Sequence, residues 1–459
     1  MRRPSAVTDA GNGAPLNWRP SAVTDAGNGA PLMRRPSADA VAGNGRLLSY
    51  SLRSPSADAV AGGGDMQERT SMDFALSEQQ QLMRTEVRNL ARQFAWSYWR
   101  EHDRTRAYPH EFFNAFAAAG WLGTVIPTAY GGSGLGVTEA CIVLGEIAAS
   151  GAGTSGASPI HFSMFPPMPI IKYGSEEMKQ RYLPKIASGE MKLAFSVTEP
   201  NVGSDTTQLQ TTAVRDGDEW VINGRKVWSS NAQQADRVLI LTRTTPVARS
   251  AKKSQGMSLF FAPMDRRAIT IKLIEKMGRH AVDSNELFID NLRVAHSDLV
   301  GQEGEGFAHI IAGLNPERIV IAAEAVGIGK AALEKAVQYA KERVVFGRPI
   351  GQNQGIQFPL AEAYARLEAA ELMTFKAAWL YDQGLPCGKE ANIAKLLAGD
   401  AGCDAVDHAV QTFGGFGYAR EFDVERLYRE IRLYKIAPIS QQMVLNYIGE
   451  HVLRMPRSY

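Results

Sequence analysis

Phe195-Ser196-Val197-Thr198-Glu199-Pro200-Asn201-Val202-Gly203-Ser204-Asp205, followed further on by Trp228-Ser229-Ser230-Asn231, decides how this chain reads. The two segments gather short hydroxyls, a glycine turn that exposes backbone amides, and an indole. Such a set can hold a phosphate and cover a flat aromatic ring, which points to a bound cofactor.

The surrounding text predicts strands. Asp216-Gly217 and Asn223-Gly224 are both hairpin signals, flanked by the β-formers Trp220-Val221-Ile222 and Val227-Trp228. Three further runs follow, Val238-Leu239-Ile240-Leu241, Leu259-Phe260-Phe261 and Ile269-Thr270-Ile271. Together they predict a small sheet domain over 191–300. Before it, from Ser77 onward, apolar Met83, Val87, Leu90 and Phe94 keep helical spacing. Pro127 to Gly132 break that pattern ahead of another helix near Thr138 to Ser150, so 72–190 is expected to be helical. After Gly306 the pattern is helical again, near Glu317 to Glu342, Gly355 to Asp382 and Lys389 to Val410, which predicts a helical bundle over 301–459. The fold class expected is mostly α with a central β domain.

The order Thr198-Glu199-Pro200, Gly203-Ser204-Asp205 and Trp228-x-Ser230-Asn231 resembles the acyl-CoA dehydrogenase family. The resemblance continues through Arg343-Val344-Val345-Phe346-Gly347, Gln354, Gln411-Thr412-Phe413-Gly414-Gly415 and Ser440-Gln441-Gln442, covering roughly 72–459. It implies an N-terminal helical domain, a small β-barrel or sheet domain and a C-terminal four-helix bundle. The implied cofactor is FAD. Phe195, Ser196, Val197 and Thr198, with Trp228 and Ser230, would line the isoalloxazine, and Ser204 would sit near the pyrophosphate. Arg343, Phe346, Gln354, Gln411, Gly414 and Gly415 would approach the adenosine-diphosphate half from a second subunit of a homo-oligomer, commonly a tetramer, and Ser440 and Gln442 belong to the same cofactor set.

Plainer readings stand beside several of these. An isolated Trp228 is ordinarily a core aromatic, Arg343 a solvated helix charge, and Gly414-Gly415 a helix C-cap. Gly132-Ser133-Gly134-Leu135-Gly136 and Gly414 to Gly417 do not follow a strand in a βαβ unit, so neither predicts a dinucleotide fold.

The chemistry the resemblance implies is α,β-dehydrogenation of an acyl-CoA thioester, with electrons passed to an electron-transfer flavoprotein. A carboxylate removes the α-proton while the β-hydrogen leaves as hydride to the flavin. Many members carry that carboxylate just before a Gly-Thr-Ser segment, and the corresponding text here is Ile436-Ala437-Pro438-Ile439-Ser440. Pro438 can neither take a proton nor donate a backbone N–H to the thioester oxygen. In the isovaleryl-CoA dehydrogenase type the glutamate precedes an arginine on a long helix, and Asn315-Pro316-Glu317-Arg318 matches that position. Glu317 is therefore expected to be the base, with Glu324, two turns along the same face, as runner-up. Asn315 and Arg318 align with positions that contact the CoA portion. The rival reading makes Asn315-Pro316-Glu317 a helix start, with Arg318 pairing a local carboxylate. Oxidase or monooxygenase chemistry on a non-CoA substrate, or a flavin-binding relative without turnover, are the alternatives.

Composition is consistent with this and narrows little else. With 50 basic and 48 acidic residues the formal charge is +2, which gives no electrostatic surface for nucleic acid. Cys141, Cys387 and Cys403 are too few and scattered for a disulfide framework or a metal site, and a reducing, cytoplasmic setting is expected. No apolar run reaches the ~20 residues that span a bilayer. Arg3 to Leu16 recurs letter for letter from Arg19 to Leu32, in text rich in Pro, Gly, Ala and Ser, so residues 1–71 are expected to form a disordered, repeat-containing extension, either a mis-assigned start or a dispensable tail.

Overall fold

The computed structural model describes residues 75–458, so the reading of 1–71 lies outside the described residues. Helices come first: α1 Glu78–Arg92, α2 Trp96–Thr105, α3 His110–Ala118, α4 Val137–Ile147, α5 Gly153–Met164, α6 Met168–Tyr173 and α7 Glu176–Ala187. Ser77 starts α1 through a capping box with Gln80, whose backbone N–H its hydroxyl accepts at 3.2 Å. The predicted positions Met83 and Val87 are buried, and Leu90 and Phe94 are partly so.

The sheet follows, with β1 Leu193–Ser196, β2 Thr212–Asp216, β3 Glu219–Ser230, β4 Arg237–Arg243, β5 Met257–Pro263, β6 Ile269–Leu273, β7 Ser284–Ala295 and β8 Leu299–Val300. Their order is β6-β7-β3-β2-β4-β5-β8, with β1 running parallel to β4. Asp216-Gly217 makes the expected hairpin, Asp216 pairing with Glu219. Asn223-Gly224 does not. It lies inside β3, where one residue of β3 stands opposite two of β7, and the Asn223 side-chain oxygen accepts the Asn291 amide at 2.7 Å. The dipeptide serves a β-bulge, a second use of the same residue types. A Cβ on Gly224 would stand 2.4 Å from Thr211 Oγ1 and 2.7 Å from Thr211 Cα. Gly224→Ala is therefore expected to destabilise the protein by about 1–3 kcal/mol through overpacking. An unchanged thermal unfolding midpoint would contradict the close approach.

Five more helices close the chain: α8 Gly306–Glu342, α9 Gln354–Asp382, α10 Gly388–Phe413, α11 Val424–Ile431 and α12 Gln441–Tyr447. α8 packs on α10, α9 and α4. Its buried Ile319, Val326 and Ile328 share one apolar core with Leu144 and Ile147 of α4 and Val406 of α10, so the helices before and after the sheet enclose a common interior. α8 begins well before the expected start, and Pro316 lies inside it. Asn315-Pro316-Glu317 is thus not a helix start, and Glu317 is placed by a helix whose two flanks are already packed. Among the described residues no helix is long and apolar enough to cross a membrane.

Candidate active site

A second bulge in the β3–β7 ladder shapes one wall of the site. Between the pairs Lys226↔Leu287 and Ser229↔Asn285, Val227 and Trp228 both stand opposite Glu286. Trp228 takes up the extra length with φ 62°, a left-handed conformation uncommon for a bulky residue. Its indole is 57% exposed, while Ser229 beside it is buried. The bulge turns a large apolar ring out of the sheet, so the core-aromatic reading of Trp228 fails. Thr198 lies against this segment, its carbonyl accepting the Val227 amide at 2.9 Å. Ser196 does not present its hydroxyl to solvent: that group is buried and bonded to Ser229 Oγ at 2.6 Å, which ties β1 to β3. Ser230 Oγ accepts from Arg279 Nη2 at 2.7 Å. Phe195 is partly buried, 5.1 Å edge-on from Phe165. Ser204 is exposed beyond the tight turn made by Glu199 and Val202.

α8 carries the other candidate residues, and its Leu314 packs on the same apolar cluster as Phe195 and Val197. Glu317 is 8% exposed, and its Oε2 has no hydrogen-bond partner among the described residues. Burial pushes its carboxyl up to about 7, against the opposing pull of His161 and Arg318. Glu324, the runner-up, is fully engaged: Oε1 lies 2.7 Å from His161 Nδ1, and Oε2 accepts the Tyr434 hydroxyl. Among the described residues Arg318 pairs with no carboxylate; its Nη1 donates to Asn315 Oδ1 at 2.9 Å and its Nε is free. Asn315 approaches the start of α10, where a Cβ on Gly388 would meet the Tyr447 hydroxyl at 2.7 Å and Asn315 Nδ2 at 3.9 Å.

Pro438 lies in the turn before α12. The Ala437 amide is taken by the Leu433 carbonyl at 2.9 Å, whereas the Ile439 amide has no partner among the described residues. Ser440 caps α12, accepting the Met443 amide at 3.3 Å, and Gln442 is exposed on that helix.

A separate group of predicted residues gathers where α8, α9 and α10 end or begin. Arg343 caps α8 with its guanidinium 5.6 Å from the Phe416 ring centroid. Phe346 is fully exposed at φ 52°, and Gln354 and Gln411 are exposed. Gly414 caps α10 at φ 61°, and Gly415 has open space around it. The C-cap reading of Gly414 is thus correct, and it leaves the backbone accessible. No hydrogen bond, ion pair or ring contact among the described residues joins this group to Trp228.

Residues 77–190, 194–292 and 304–453 match the N-terminal, middle and C-terminal domains of acyl-CoA dehydrogenases, respectively. The chain belongs to the acyl-CoA dehydrogenase family. It is 39% identical over 394 residues to an acyl-CoA dehydrogenase of Mycobacterium bovis, covering 85% of this chain and 100% of that one. The structure of a glutaryl-coenzyme A dehydrogenase in complex with glutaryl-CoA superposes with a TM-score of 0.80 at 34% identity, over 84% of this chain and 98% of that one. A chain from the structure described as the electron transferring flavoprotein of Acidaminococcus fermentans superposes with a TM-score of 0.80 at 32% identity, over 83% of this chain and all of that one. The protein is an FAD-dependent oxidoreductase acting on acyl-CoA.

The residues fit FAD. The uncovered Trp228 indole at a left-handed φ offers an apolar face for a flat ring, and the Gly414-Gly415 backbone is open to a phosphate. Sequence reasoning missed the residues that brace this site. Lys226, Arg279, His161 and Tyr434 belong to no motif quoted for the family. The faint signals were a lone histidine in the apolar α5 and a lysine inside a strand.

Proposed function

We propose that Glu317 is the base that removes the α-proton of an acyl-CoA thioester, with electrons leaving to an electron-transfer flavoprotein. FAD, when bound, supplies the hydride acceptor for the β-hydrogen. The observation that carries the assignment is a buried carboxylate with a free oxygen, poised near neutral pH, on a helix that packing holds in place. Glu324 has no such freedom, and Pro438 has no proton acceptor. With the Pro438 donor missing, the Ile439 and Ser440 amides, which have no partner among the described residues, are the groups left in this loop to bind the thioester oxygen. On this reading Asn315 and Arg318, whose Nε has no partner among the described residues, would contact the CoA portion.

The exposed Phe346, Phe416 and Tyr418 beside Gly414 support a homo-oligomer, a dimer of dimers, in which a second subunit brings Arg343, Gln354 and Gln411 to the cofactor. The three unpaired cysteines support a cytoplasmic setting.

Anaerobic mixing of the FAD-loaded protein with short, branched, medium and long acyl-CoAs tests the function. Bleaching by at least one chain class is expected, followed by rapid reoxidation with an electron-transfer flavoprotein and slow reoxidation by oxygen. Absence of bleaching with every acyl-CoA, or fast reoxidation by oxygen, would remove the dehydrogenase reading.

A further inference from the structure

The turn between Tyr434 and α12 is tied to both long helices of the bundle. On α8 the Tyr434 hydroxyl donates to Glu324, which lies seven residues beyond Glu317 on the same helix face. On α10 the Tyr434 carbonyl packs close enough that a Cβ on Gly399 would stand 3.2 Å from it. Asp400 Oδ1 then takes the Lys435 ammonium and the Gln441 side-chain amide, both at 2.8 Å. About one turn earlier on α10, Lys395 Nζ donates to the Ile439 carbonyl at 2.7 Å. Lys395 is 1% exposed and pairs with no carboxylate among the described residues. A buried ammonium without a counter-charge is costly, and packing alone would be better served by an apolar side chain.

The Lys395 bond fixes more than a carbonyl. The peptide joining Ile439 to Ser440 is planar and trans, so its C=O and N–H point in opposite directions. With the C=O turned onto Lys395, the Ser440 N–H is turned away from it and has no partner among the described residues. The upstream amides are taken: Ile436 and Ala437 both donate to the Leu433 carbonyl, and Pro438 has no N–H. A charged donor on the C=O also polarises the peptide and strengthens its N–H as a donor. We infer that Lys395 is a positioning residue that fixes the Ile439–Ser440 peptide, so that the Ser440 N–H binds the thioester oxygen in place of the donor Pro438 lacks. The inference rests on the proposal that this loop binds that oxygen. It chooses Ser440 over Ile439, whose amide belongs to the preceding peptide and is not held by Lys395.

The test reads the substrate carbonyl in FAD-loaded Glu317→Gln, where acyl-CoA binds and does not react. An acyl-CoA isotopically labelled at the thioester carbonyl is bound, and its infrared band is compared with that of the free ligand. The band is expected to lie lower in Glu317→Gln, and to return at least halfway to the free position when Lys395→Met or Ser440→Pro is added. The Ser440 φ of −64° suits proline, so that change removes the N–H without turning the backbone. Ser440→Ala, which loses only the hydroxyl cap, should keep the lowered band. With Glu317 intact, Lys395→Met is expected to slow bleaching on the order of 10²-fold at saturating acyl-CoA and to change the half-saturating concentration less than about threefold. A merely structural role would lower the fraction of protein that holds FAD and leave the band of the remainder in place. A lowered band that survives Lys395→Met, or that survives Ser440→Pro, overturns the inference. If Lys395→Met does not fold, Lys395→Gln, whose shorter side chain falls short of the carbonyl, takes its place. A band at the free position in Glu317→Gln itself overturns the reading of the loop on which the inference rests. If Glu317→Gln still bleaches, the assignment of the base falls, and the bleaching rates of Lys395→Met and Ser440→Pro decide in place of the band.

Discussion

Glu317→Gln is expected to lower acyl-CoA-driven flavin reduction on the order of 10³-fold while the protein keeps its FAD, the range typical for loss of a positioned general base. Glutamine preserves the size of the side chain in a site where Glu317 is flanked by buried Pro316 and Ile319 on a packed helix. The substitution removes a proton acceptor and leaves the packing intact. Stopped-flow absorbance against bound flavin content separates the two effects. The wild-type profile should carry the same group: below about 7 Glu317 is protonated and cannot accept the α-proton, so the bleaching rate should rise with pH and level off above that value. Loss of FAD from Glu317→Gln would point to a structural role. Equal rates in the two proteins would return the base to an unassigned group.

How much of this was legible beforehand depended on where the information sits. Strands β4, β5 and β6 were readable because each is a short run of β-formers at the predicted place. β7 was not, although its Leu287, Ile289, Leu292 and Val294 are all buried. Two bulges against β3 shift the alternation, and the intervening Asp290-Asn291 imitate a loop. The same bulges misdirected the reading of Asn223-Gly224. At α8, Asn315-Pro316 carried the local chemistry of a helix start, and only the packing of both flanks shows that the helix passes through. Glu317 became a candidate through resemblance alone, since a single glutamate before an arginine has no distinctive spacing. Its surroundings were illegible for a different reason. His161 and Tyr434 come from segments far apart in the chain, and each looks like an ordinary core residue until the fold brings them to Glu324.

Lys226→Met is expected to cost about 3–5 kcal/mol of stability and to release FAD, because it leaves a buried carboxylate without its counter-charge. Lys226 is fully buried inside β3, and its ammonium donates to Glu199 Oε1 and to the Val197 carbonyl, both at 3.0 Å. Glu199 also accepts the amides of Gln210 at 2.7 Å and Thr211 at 2.8 Å. One ion pair therefore joins the segment after β1, the turn that leads to Ser204, and the strand that carries Trp228. Burial pulls the Lys226 ammonium down to about 8, even with Glu199 opposing that shift. Burial would raise the Glu199 carboxyl, but Lys226 and the donors around Thr211 outweigh it and hold that carboxyl below its ordinary value. Methionine replaces the stem of the lysine and takes away only the charge and its donors. Combining it with Glu199→Gln should recover much of the loss, since the amide oxygen still accepts a backbone N–H and no lone charge remains. Thermal unfolding of the single and double variants, read beside their flavin content, distinguishes the charge from the shape. If the single variant unfolds within about 0.5 kcal/mol of the wild type, the pair does not hold the cofactor strand. If the double variant is no better than the single, the lost donor to the Val197 carbonyl is the dominant cost, and the geometry beneath the Trp228 bulge depends on one hydrogen bond.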